Sequence, residues 1–300
     1  MTYRAFQWGL LAVAGILSFL CLHGPWAAGQ AASPQTHRAP ASAATSPQKP
    51  EDKAWGILRE ALKSDSADRR ARAVRALGLL PGNAEAEKAA TRALKDDKPN
   101  VRLAAAATLG AMRAENSKGD LEAALGDSEP GVVLAAANSL LLLHDDVGYD
   151  TYYEVLTGEK RANKGLIKEQ FDTLKDKKKM AALGFEEGIG FIPFAGIGYE
   201  IFKTVTKNDS SPLRAAAAKK LANDPSPDAA QALVKAAGDK NWAVRAAALE
   251  AIALREDRSL ASRIDAALDD DKDVVRFTAA ACLVRLTGLS QKTNSSAAKP

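Results

Sequence analysis

Histidine and cysteine are scarce in this chain of 300 residues, which has three of the former and two of the latter. His23 and His37 lie near the N-terminus, so the rest of the chain holds only His144. A zinc site of the usual kind needs three or four His, Cys or acidic ligands, and a nucleophile pair could draw only on Cys282 and His144. We therefore expect a chain without catalytic residues, metal or cofactor.

Other ligand-binding signatures are missing as well. The stretch GIGFIPFAGIG (residues 188–198) contains neither G-x-G-x-x-G nor G-K-[ST], so no phosphate loop is expected. The acidic run Asp269–Asp273 lacks the spaced ligands and turn glycine of an EF-hand loop, and we interpret it as a helix-capping turn. His144 with Asp145 and Asp146 is either a weak cation site or, as we expect, a solvated helix end. The net charge of +4 comes from interspersed acids and bases, which does not favour nucleic acid as a partner.

The N-terminal segment is predicted to direct export. Arg4 precedes an apolar run at residues 9–22, and small residues follow in PWAAGQAAS, which is the pattern of a secretory signal peptide. We predict a signal peptide at residues 1–30 and a periplasmic or extracellular protein, with an uncleaved membrane anchor as the alternative. Residues 31–52 and 288–300 are rich in small and polar residues and are predicted to be a disordered linker and a disordered tail.

Internal repetition is the main structural signal in what remains. Six segments align on an early arginine or its equivalent, with steps of 32, 31, 81, 31 and 31 residues. A Leu or Ile follows each of these positions by seven residues. Each copy reads as an amphipathic first helix, a polar turn and a second helix that is apolar over most of its circumference. The six aligned positions are Arg70, Arg102, Val133, Arg214, Arg245 and Arg276.

The repeats predict an all-α solenoid of about six helix pairs. Repeats one to three occupy residues 53–144 and repeats four to six residues 207–287, and residues 145–206 form an insertion between them. Asp, Ser or Asn in each turn should cap the second helix, and Cys282 is expected to be a small buried residue of the last one. In a linear stack Cys282 and His144 would lie five segments apart.

The repeat unit resembles a known family. The clearest copies read D-x-x-x-V-R-x-x-A-A-x-x-L, beginning at Asp97 and at Asp271. This resembles the HEAT repeat family, and more closely its short bacterial branch named for repeats in phycobilisome lyases. The resemblance implies a right-handed superhelix of stacked helix pairs, in which a turn Asp and a helix Arg bridge neighbouring repeats. The residues assigned to this ladder are Asp97, Arg102, Asp209, Arg214, Arg245, Asp271 and Arg276.

The insertion is predicted to be helical and to end in a glycine-rich hydrophobic hairpin at residues 181–202. Its large apolar residues must be covered, because burying each one contributes roughly 1.5–3 kcal/mol. Three surfaces could bury these residues. The first is the solenoid itself, with the stretch AGIGYEIFKTVTKN as the first helix of repeat four. The second is a membrane surface, which the basic stretch KDKKK would also contact, and the third is a partner protein. The residues that would make a membrane or partner contact are Phe185, Phe191, Ile192, Phe194, Ile197, Tyr199 and Phe202.

The function that these features favour is an exported, non-enzymatic scaffold that binds another protein. Its candidate groove residues, on the second helices, are Arg69, Arg72, Arg75, Lys219 and Lys220. The alternatives are a peripheral membrane protein that uses residues 181–202, and a lyase by analogy with the bilin lyases.

Overall fold

The structure is a computed structural model that describes residues 49–157 and 210–297, all within one compact unit. The first range holds α1 (Pro50–Ala61), α2 (Ala67–Leu77), α3 (Ala84–Ala93), α4 (Pro99–Met112), α5 (Lys118–Ala124), α6 (Pro130–Leu142) and α7 (Val147–Thr157). The second range holds α8 (Ser211–Leu221), α9 (Pro227–Ala236), α10 (Trp242–Arg255) and α11 (Asp273–Ala297). Short 3₁₀ helices lie at Glu115–Ser117, Arg258–Arg263 and Asp265–Asp269. These two ranges contain no strand, and the predicted all-α class is confirmed.

Turn residues start the helices as the sequence predicts. The Ser66 side chain accepts a hydrogen bond from the backbone N–H of Arg69 at the start of α2, and Asn241 accepts one from Ala243 at the start of α10. Such caps satisfy backbone donors that have no partner inside the helix. Pro99 and Pro130 occupy the first turns of α4 and α6, where the missing N–H costs nothing.

The second helices form the buried layer of the protein. In α10, every residue from Ala246 to Ala253 is buried. Small residues allow the backbones to approach closely, as at Gly110 of α4, where an added Cβ would lie only 2.9 Å from the Cα of Ser139 in α6. Ser139 then donates a hydrogen bond of 2.8 Å to the backbone carbonyl of Ala106. The close contact and the hydroxyl bond fix α4 against α6.

The repeats do not stack in the order in which they follow one another in the chain. Second helices pack in the row α8, α10, α11, α2, α4 and α6, so the spatial order of the repeats is four, five, six, one, two, three. Both α1 and α2 pack on α11, and one hydrophobic cluster runs from Ala54 to Leu286. In this row α2 and α4 separate Cys282 on α11 from His144 at the end of α6, and repeat six is next to repeat one. The apolar face of α11 supplies the physical reason, since its Phe277 is fully buried beneath repeat one.

One end of the row is α8. At the other end, α7 packs on α6, the last of the second helices. Helix α7 falls within the predicted insertion and packs on α6 as a further first helix would. Gly148 permits this contact, because a Cβ there would lie 2.5 Å from the carbonyl oxygen of Ala137. Thr157, the last described residue before the gap, thus follows one end of the row, and Ser210 precedes the other.

Three local features differ from the sequence expectation. Repeat six has two 3₁₀ segments in place of a first α-helix, since Asp257 and Ser259 bond to each other and Asp257 also accepts from the Ser259 N–H. Helix α11 continues to Ala297, through most of the predicted disordered tail, because no proline interrupts it before Pro300. Helix α1 begins at Pro50, inside the predicted linker. The predicted signal peptide and the hydrophobic hairpin lie outside the described residues.

Candidate functional site at the junction of repeats six and one

A ladder of arginine–aspartate pairs joins second helices to the turns of the next repeat. In the second rung, Arg102 Nε donates to Asp127 Oδ2 at 2.6 Å and Nη2 donates to Asp127 Oδ1 at 2.8 Å. Arg102 Nη1 also donates to the carbonyl of Asp96 at 3.0 Å. Three of the four rungs are bidentate and well shielded from water, which is the strongest form of such a pair, whereas Arg214 bonds Asp239 through Nη1 alone. The four rungs are Arg70–Asp96, Arg102–Asp127, Arg214–Asp239 and Arg245–Asp270.

The rungs shift the pKa values of their members in the expected directions. The hydrogen bond from Arg102 to Asp127 raises the pKa of the Arg102 guanidinium, and the bond from Arg245 to Asp270 does the same for Arg245. Burial alone would raise the pKa of Asp96, but hydrogen bonds from Arg70 and from a backbone N–H lower it. For Arg102, Arg245 and Asp96, these shifts favour the charged form.

The sequence identified most donors of this ladder but not its main acceptors. Asp97 and Asp271 make second contacts, at 3.0 Å to Arg70 Nη2 and 3.1 Å to Arg245 Nη2. The main acceptors stand one residue earlier, six residues before the aligned Arg or Val, which is a regular spacing that the sequence shows. Asp209 lies outside the described residues. The acceptor position is occupied by Asp96, Asp127, Asp239 and Asp270 in repeats two, three, five and six, by Ser64 in repeat one and by Asn208 in repeat four.

The ladder is interrupted where repeat six meets repeat one. Arg276 occupies the donor position of this junction. In repeat one, however, Ser64 stands where the other repeats have the aspartate that accepts the hydrogen bonds. Arg276 instead bonds within its own repeat, to the carbonyl of Asp270 at 2.8 Å and to the side chain of Asp273. This junction is thus held by other contacts. Lys53 Nζ lies 2.8 Å from Asp269 Oδ2, and Arg285 Nη1 donates to the carbonyl of Leu79 at 2.8 Å.

Arg69 gives the junction its second unusual feature. It stands one residue before the ladder arginine of repeat one, where other repeats carry an aliphatic residue. Its guanidinium carbon lies 5.8 Å from the ring centre of Phe277, its Nε 3.6 Å from Asp273 Oδ2 and its Nη2 3.7 Å from Glu60 Oε1. Arg69 Nε is buried and has no hydrogen-bond partner among the described residues. In four other repeats, a buried valine stands at the position that Arg69 occupies in repeat one. These residues are Val101, Val132, Val244 and Val275.

A cavity of about 430 Å³ opens at this junction, and we call it the junction cavity. Its wall combines three cations, two acids and two aliphatic side chains. Such a lining suits the binding of a charged group with a short apolar stem. The lining residues are Lys53, Ile57 and Glu60 of α1, Arg69 of α2, and Leu268, Asp269 and Arg276 of repeat six.

The five predicted groove residues lie on two helices, α2 and α8, that are not neighbours in the row. Arg72 and Arg75 are exposed on α2, in the middle of the row. Lys219 and Lys220 are on α8, with α10 and α11 between them and α2. Arg69 faces the junction cavity instead of a groove.

A buried carboxylate that the sequence analysis missed lies between α8 and α10. Glu250 is 4% exposed, and the nearest cation is Lys219, whose Nζ is 3.6 Å from Glu250 Oε2. Burial raises the pKa of Glu250 to about 7, while the charge of Lys219 opposes this shift. The one signal in the sequence is a single acid within the apolar run AALEAIAL.

The remaining candidate residues lie apart from the junction cavity. His144 is exposed at the end of α6, in a left-handed conformation with φ of 55°, and the Asp145 side chain accepts from the N–H of Val147 at 3.1 Å. Cys282 is fully buried, as expected, and burial raises the pKa of its thiol.

Two kinds of site were also sought across the described residues. In residues 49–157 and 210–297, no three His, Cys, Asp or Glu side chains are grouped as a metal site would need. No helix in that part of the chain has the length and apolar character to span a membrane. The residues predicted for a membrane or partner contact, from Phe185 to Phe202, are outside it.

The packing defines a helical repeat protein, and the comparisons identify its family. The family model for HEAT repeats matches residues 57–141 and 200–284, which is more than half of the chain, so this protein belongs to the HEAT repeat family. The resemblance inferred from the repeat motif is confirmed. No curated protein matches the chain.

Two solved structures are similar at low identity. The structure of human deoxyhypusine hydroxylase in complex with glycerol is 16% identical over 80% of this chain and 97% of its own, with a TM-score of 0.32. The complex of CpcE and CpcF of phycocyanin lyase from Nostoc sp. PCC7120 is 18% identical over 84% of this chain and 100% of that one, with a TM-score of 0.31. Neither likeness bears on the activity of the present protein.

Proposed function

We propose that this protein is an exported, non-enzymatic HEAT-repeat scaffold that binds an acidic protein partner along the exposed side of its second helices. The observation that supports this is the character of the exposed residues on α2, α4, α6, α8 and α10. Beyond the first turn of each helix, the exposed charged residues are all basic. The exposed residues in question are Arg72, Arg75, Leu142, Ala216, Ala217, Lys220 and Leu254, and we call them the second-helix face.

The second-helix face has the chemistry of a protein-binding surface. Leu142 is 37% exposed and Leu254 is 48% exposed, so apolar contact area is available beside the cations. The single exposed acid on these helices, Asp68, already accepts a hydrogen bond of 3.0 Å from Asn100. The cations of this face favour a partner with complementary negative charge, and they accelerate its association.

Charge reversal on α2 tests the proposal. The double variant Arg72→Glu with Arg75→Glu is compared with Lys88→Glu and Arg92→Glu on α3, which makes the same change of charge at exposed positions of a first helix. A partner is captured from the exporting organism by quantitative affinity purification, then purified and titrated against each protein. We expect the α2 variant to weaken binding at least tenfold and the α3 variant to leave it nearly unchanged. Equal affinities for both variants, or no partner that binds the wild-type protein, would overturn the proposal.

Export is tested separately. The chain is expressed with its N-terminus intact in a secreting bacterial host, and the mature N-terminus is determined by mass spectrometry. Cleavage near residue 30 and recovery outside the cytoplasm are the expected results. An intact N-terminus in a membrane fraction would indicate the uncleaved anchor instead.

A further inference from the structure

We propose that the junction cavity is a binding site for a carboxylate carried on a short aliphatic stem, with Arg69 as its principal ligand-binding residue. The proposal does not depend on the second-helix face or on any protein partner. It rests on the missing rung of the ladder, on the unsatisfied donor of Arg69 and on the lining of the cavity.

The ladder shows which group this position of the stack normally holds. At each of the other four junctions, a guanidinium from one repeat is met by a carboxylate from the turn of the next. At the junction of repeats six and one, Ser64 replaces that aspartate, and the chain does not supply the carboxylate. The Ser64 hydroxyl instead accepts from the Ser66 N–H at 3.3 Å. A ligand carboxylate bound by Arg69 would therefore give this junction a guanidinium–carboxylate pair like those of the other junctions, although through a different arginine.

Arg69 has the donors to receive it. A guanidinium carries five N–H donors in a fork that matches a carboxylate. Asp273 at 3.6 Å and Glu60 at 3.7 Å form ion pairs with Arg69 but are not within hydrogen-bond distance, and the buried Nε has no hydrogen-bond partner in residues 49–157 and 210–297. A buried N–H without a hydrogen-bond partner destabilises the protein, so a ligand that accepts this bond removes that cost.

The other charges at the cavity leave room for one anion. Lys53 is paired with Asp269, and Arg276 is paired with Asp273. Glu60 is the remaining acid, and its side chain is 77% exposed, so it can turn into solvent when a ligand enters. A ligand carboxylate would then take the place of Glu60 beside Arg69, while Asp273 stays between Arg69 and Arg276.

The size and apolar walls of the cavity define the stem. About 430 Å³ is enough for a group of the size of an amino acid. Ile57 and Leu268 line it from opposite sides of the junction, from α1 and from repeat six. Two or three methylene groups between the carboxylate and the rest of the ligand would contact both. A free small acid and a glutamate side chain of another polypeptide share this chemistry.

The test follows the Arg69 Nε–H signal by ¹⁵N-edited NMR of the purified protein during titration with N-acetyl-L-glutamate. N-acetyl-L-glutaminamide, in which both carboxylates are replaced by amides, is the neutral control of nearly the same shape. We expect the acid to move the Arg69 signal downfield in a saturable way, and the amide to leave it in place. Arg69→Val identifies the signal and should abolish binding while the protein stays folded, because valine is the residue of four other repeats at this position. Arg69→Lys, which keeps the charge and loses the fork, should weaken binding at least tenfold and serves if the valine variant does not fold.

A second variant pair separates the site from general electrostatics. Glu60→Gln removes the acid that competes for Arg69 and should tighten binding of N-acetyl-L-glutamate severalfold. Asp52→Asn makes the same charge change at an exposed position of α1 outside the cavity and should have no effect. No saturable shift at millimolar acid, an equal response to the amide, or unchanged binding by Arg69→Val would overturn the proposal.

The source of the carboxylate is resolved by a third titration. The peptide acetyl-Gly-Leu-Glu-Leu-Gly-amide is compared with N-acetyl-L-glutamate by the same Arg69 signal. Binding of the peptide at least tenfold more tightly assigns the site to a polypeptide partner. Equal or weaker binding assigns it to a free small acid.

Discussion

At the scale of single residues, Glu250 is the most informative side chain of the described part of the chain. It is a carboxylate between two packed helices, and its only close cation, Lys219, lies beyond hydrogen-bond distance at 3.6 Å. Burial disfavours the charged form, and its pKa rises from 4.5 to about 7. The folded state therefore binds the proton more tightly than the unfolded state does.

This linkage predicts how stability depends on pH. Between about pH 4.5 and 7 the folded protein holds a proton that the unfolded chain has lost, so stability falls as the pH rises through this window. Glu250→Gln removes the effect. Relative to the wild-type protein, its free energy of unfolding should improve by about 3 kcal/mol between pH 4.5 and pH 8. Urea unfolding at pH 4.5, 6, 7 and 8 measures the difference.

Lys219→Met is the matched control for Glu250. Without its cation, the buried carboxylate should become more costly at pH 8, while near pH 4.5, where Glu250 is protonated, the variant should differ little from the wild-type protein. A pH-independent gap between Glu250→Gln and the wild-type protein would show that Glu250 does not titrate in this window.

The sequence did not predict Glu250, for a physical reason. An acid in an alanine-rich helix is usually on the solvated side, and the position of this one is decided by α8, which packs across α10. Arg69 was assigned to a groove for a similar reason, since an arginine near a helix start is usually exposed. Its anomaly becomes visible only when it is compared with the valines at the same position of other repeats.

At the scale of elements, the ladder is what joins one helix pair to the next. Arg102 and Asp127 have side chains only 14% and 11% exposed, and they bond at 2.6 Å. Arg59 and Glu85 have nearly the same geometry, at 2.7 Å between α1 and α3, but are 54% and 47% exposed. A comparison of the two pairs therefore separates the effect of burial on the stability of an ion pair from the effect of its hydrogen-bond geometry.

We predict unequal costs for breaking these two pairs. Arg102→Gln leaves a largely buried carboxylate unpaired and should destabilise the protein by about 2–4 kcal/mol, toward the range for buried pairs. Arg59→Gln should cost less than about 1 kcal/mol, because solvent screens an exposed pair. Double-mutant cycles with Asp127→Asn and Glu85→Gln, measured by urea unfolding, give the coupling energies. Equal coupling in the two cycles would contradict the role assigned to the ladder.

The length of the repeat and the alignment of its copies could be predicted from the sequence, because the ladder residues and the small residues recur at a fixed spacing. The aligned arginines were found from the sequence, and the caps at Ser66 and Asn241 agree with the turn chemistry. The first part of repeat six was not predictable in the same way. Its Asp257 and Ser259 satisfy their hydrogen bonds locally, which competes with the α-helix that the repeat pattern favours.

At the scale of the whole molecule, the order of the repeats is the feature that periodicity could not predict. A repeat pattern shows which segments are alike, but a three-repeat block leaves an apolar face at each end, and the pattern does not say which faces meet. The ladder positions contain the missing information. Val133 stands where a rung needs an arginine, and Asn208 stands where it needs an aspartate. Repeats three and four therefore cannot form an arginine–aspartate rung between them. Repeat six, whose Phe277 needs cover, packs on repeat one instead.

The stacking order can be tested with a zero-length crosslinker. Lys53 Nζ and Asp269 Oδ2 are 2.8 Å apart although the residues belong to the first and last repeats of the chain. Carbodiimide coupling should therefore join them by an amide bond within one molecule, and mass spectrometry of the monomer band should detect the linked peptides. Lys95 and Asp120, which lie 4.0 Å apart across repeats two and three, provide a control pair whose link is expected in either order.

Lys53→Arg sharpens this experiment, because it keeps the cation and removes the amine that couples. The link to Asp269 should disappear in this variant while the link between Lys95 and Asp120 persists. If repeats followed chain order, Lys53 and Asp269 would lie at opposite ends of the row and no link could form within one molecule. A monomer that yields the control link without the link to Asp269 would therefore refute the contact of repeat six with repeat one, and with it the junction cavity.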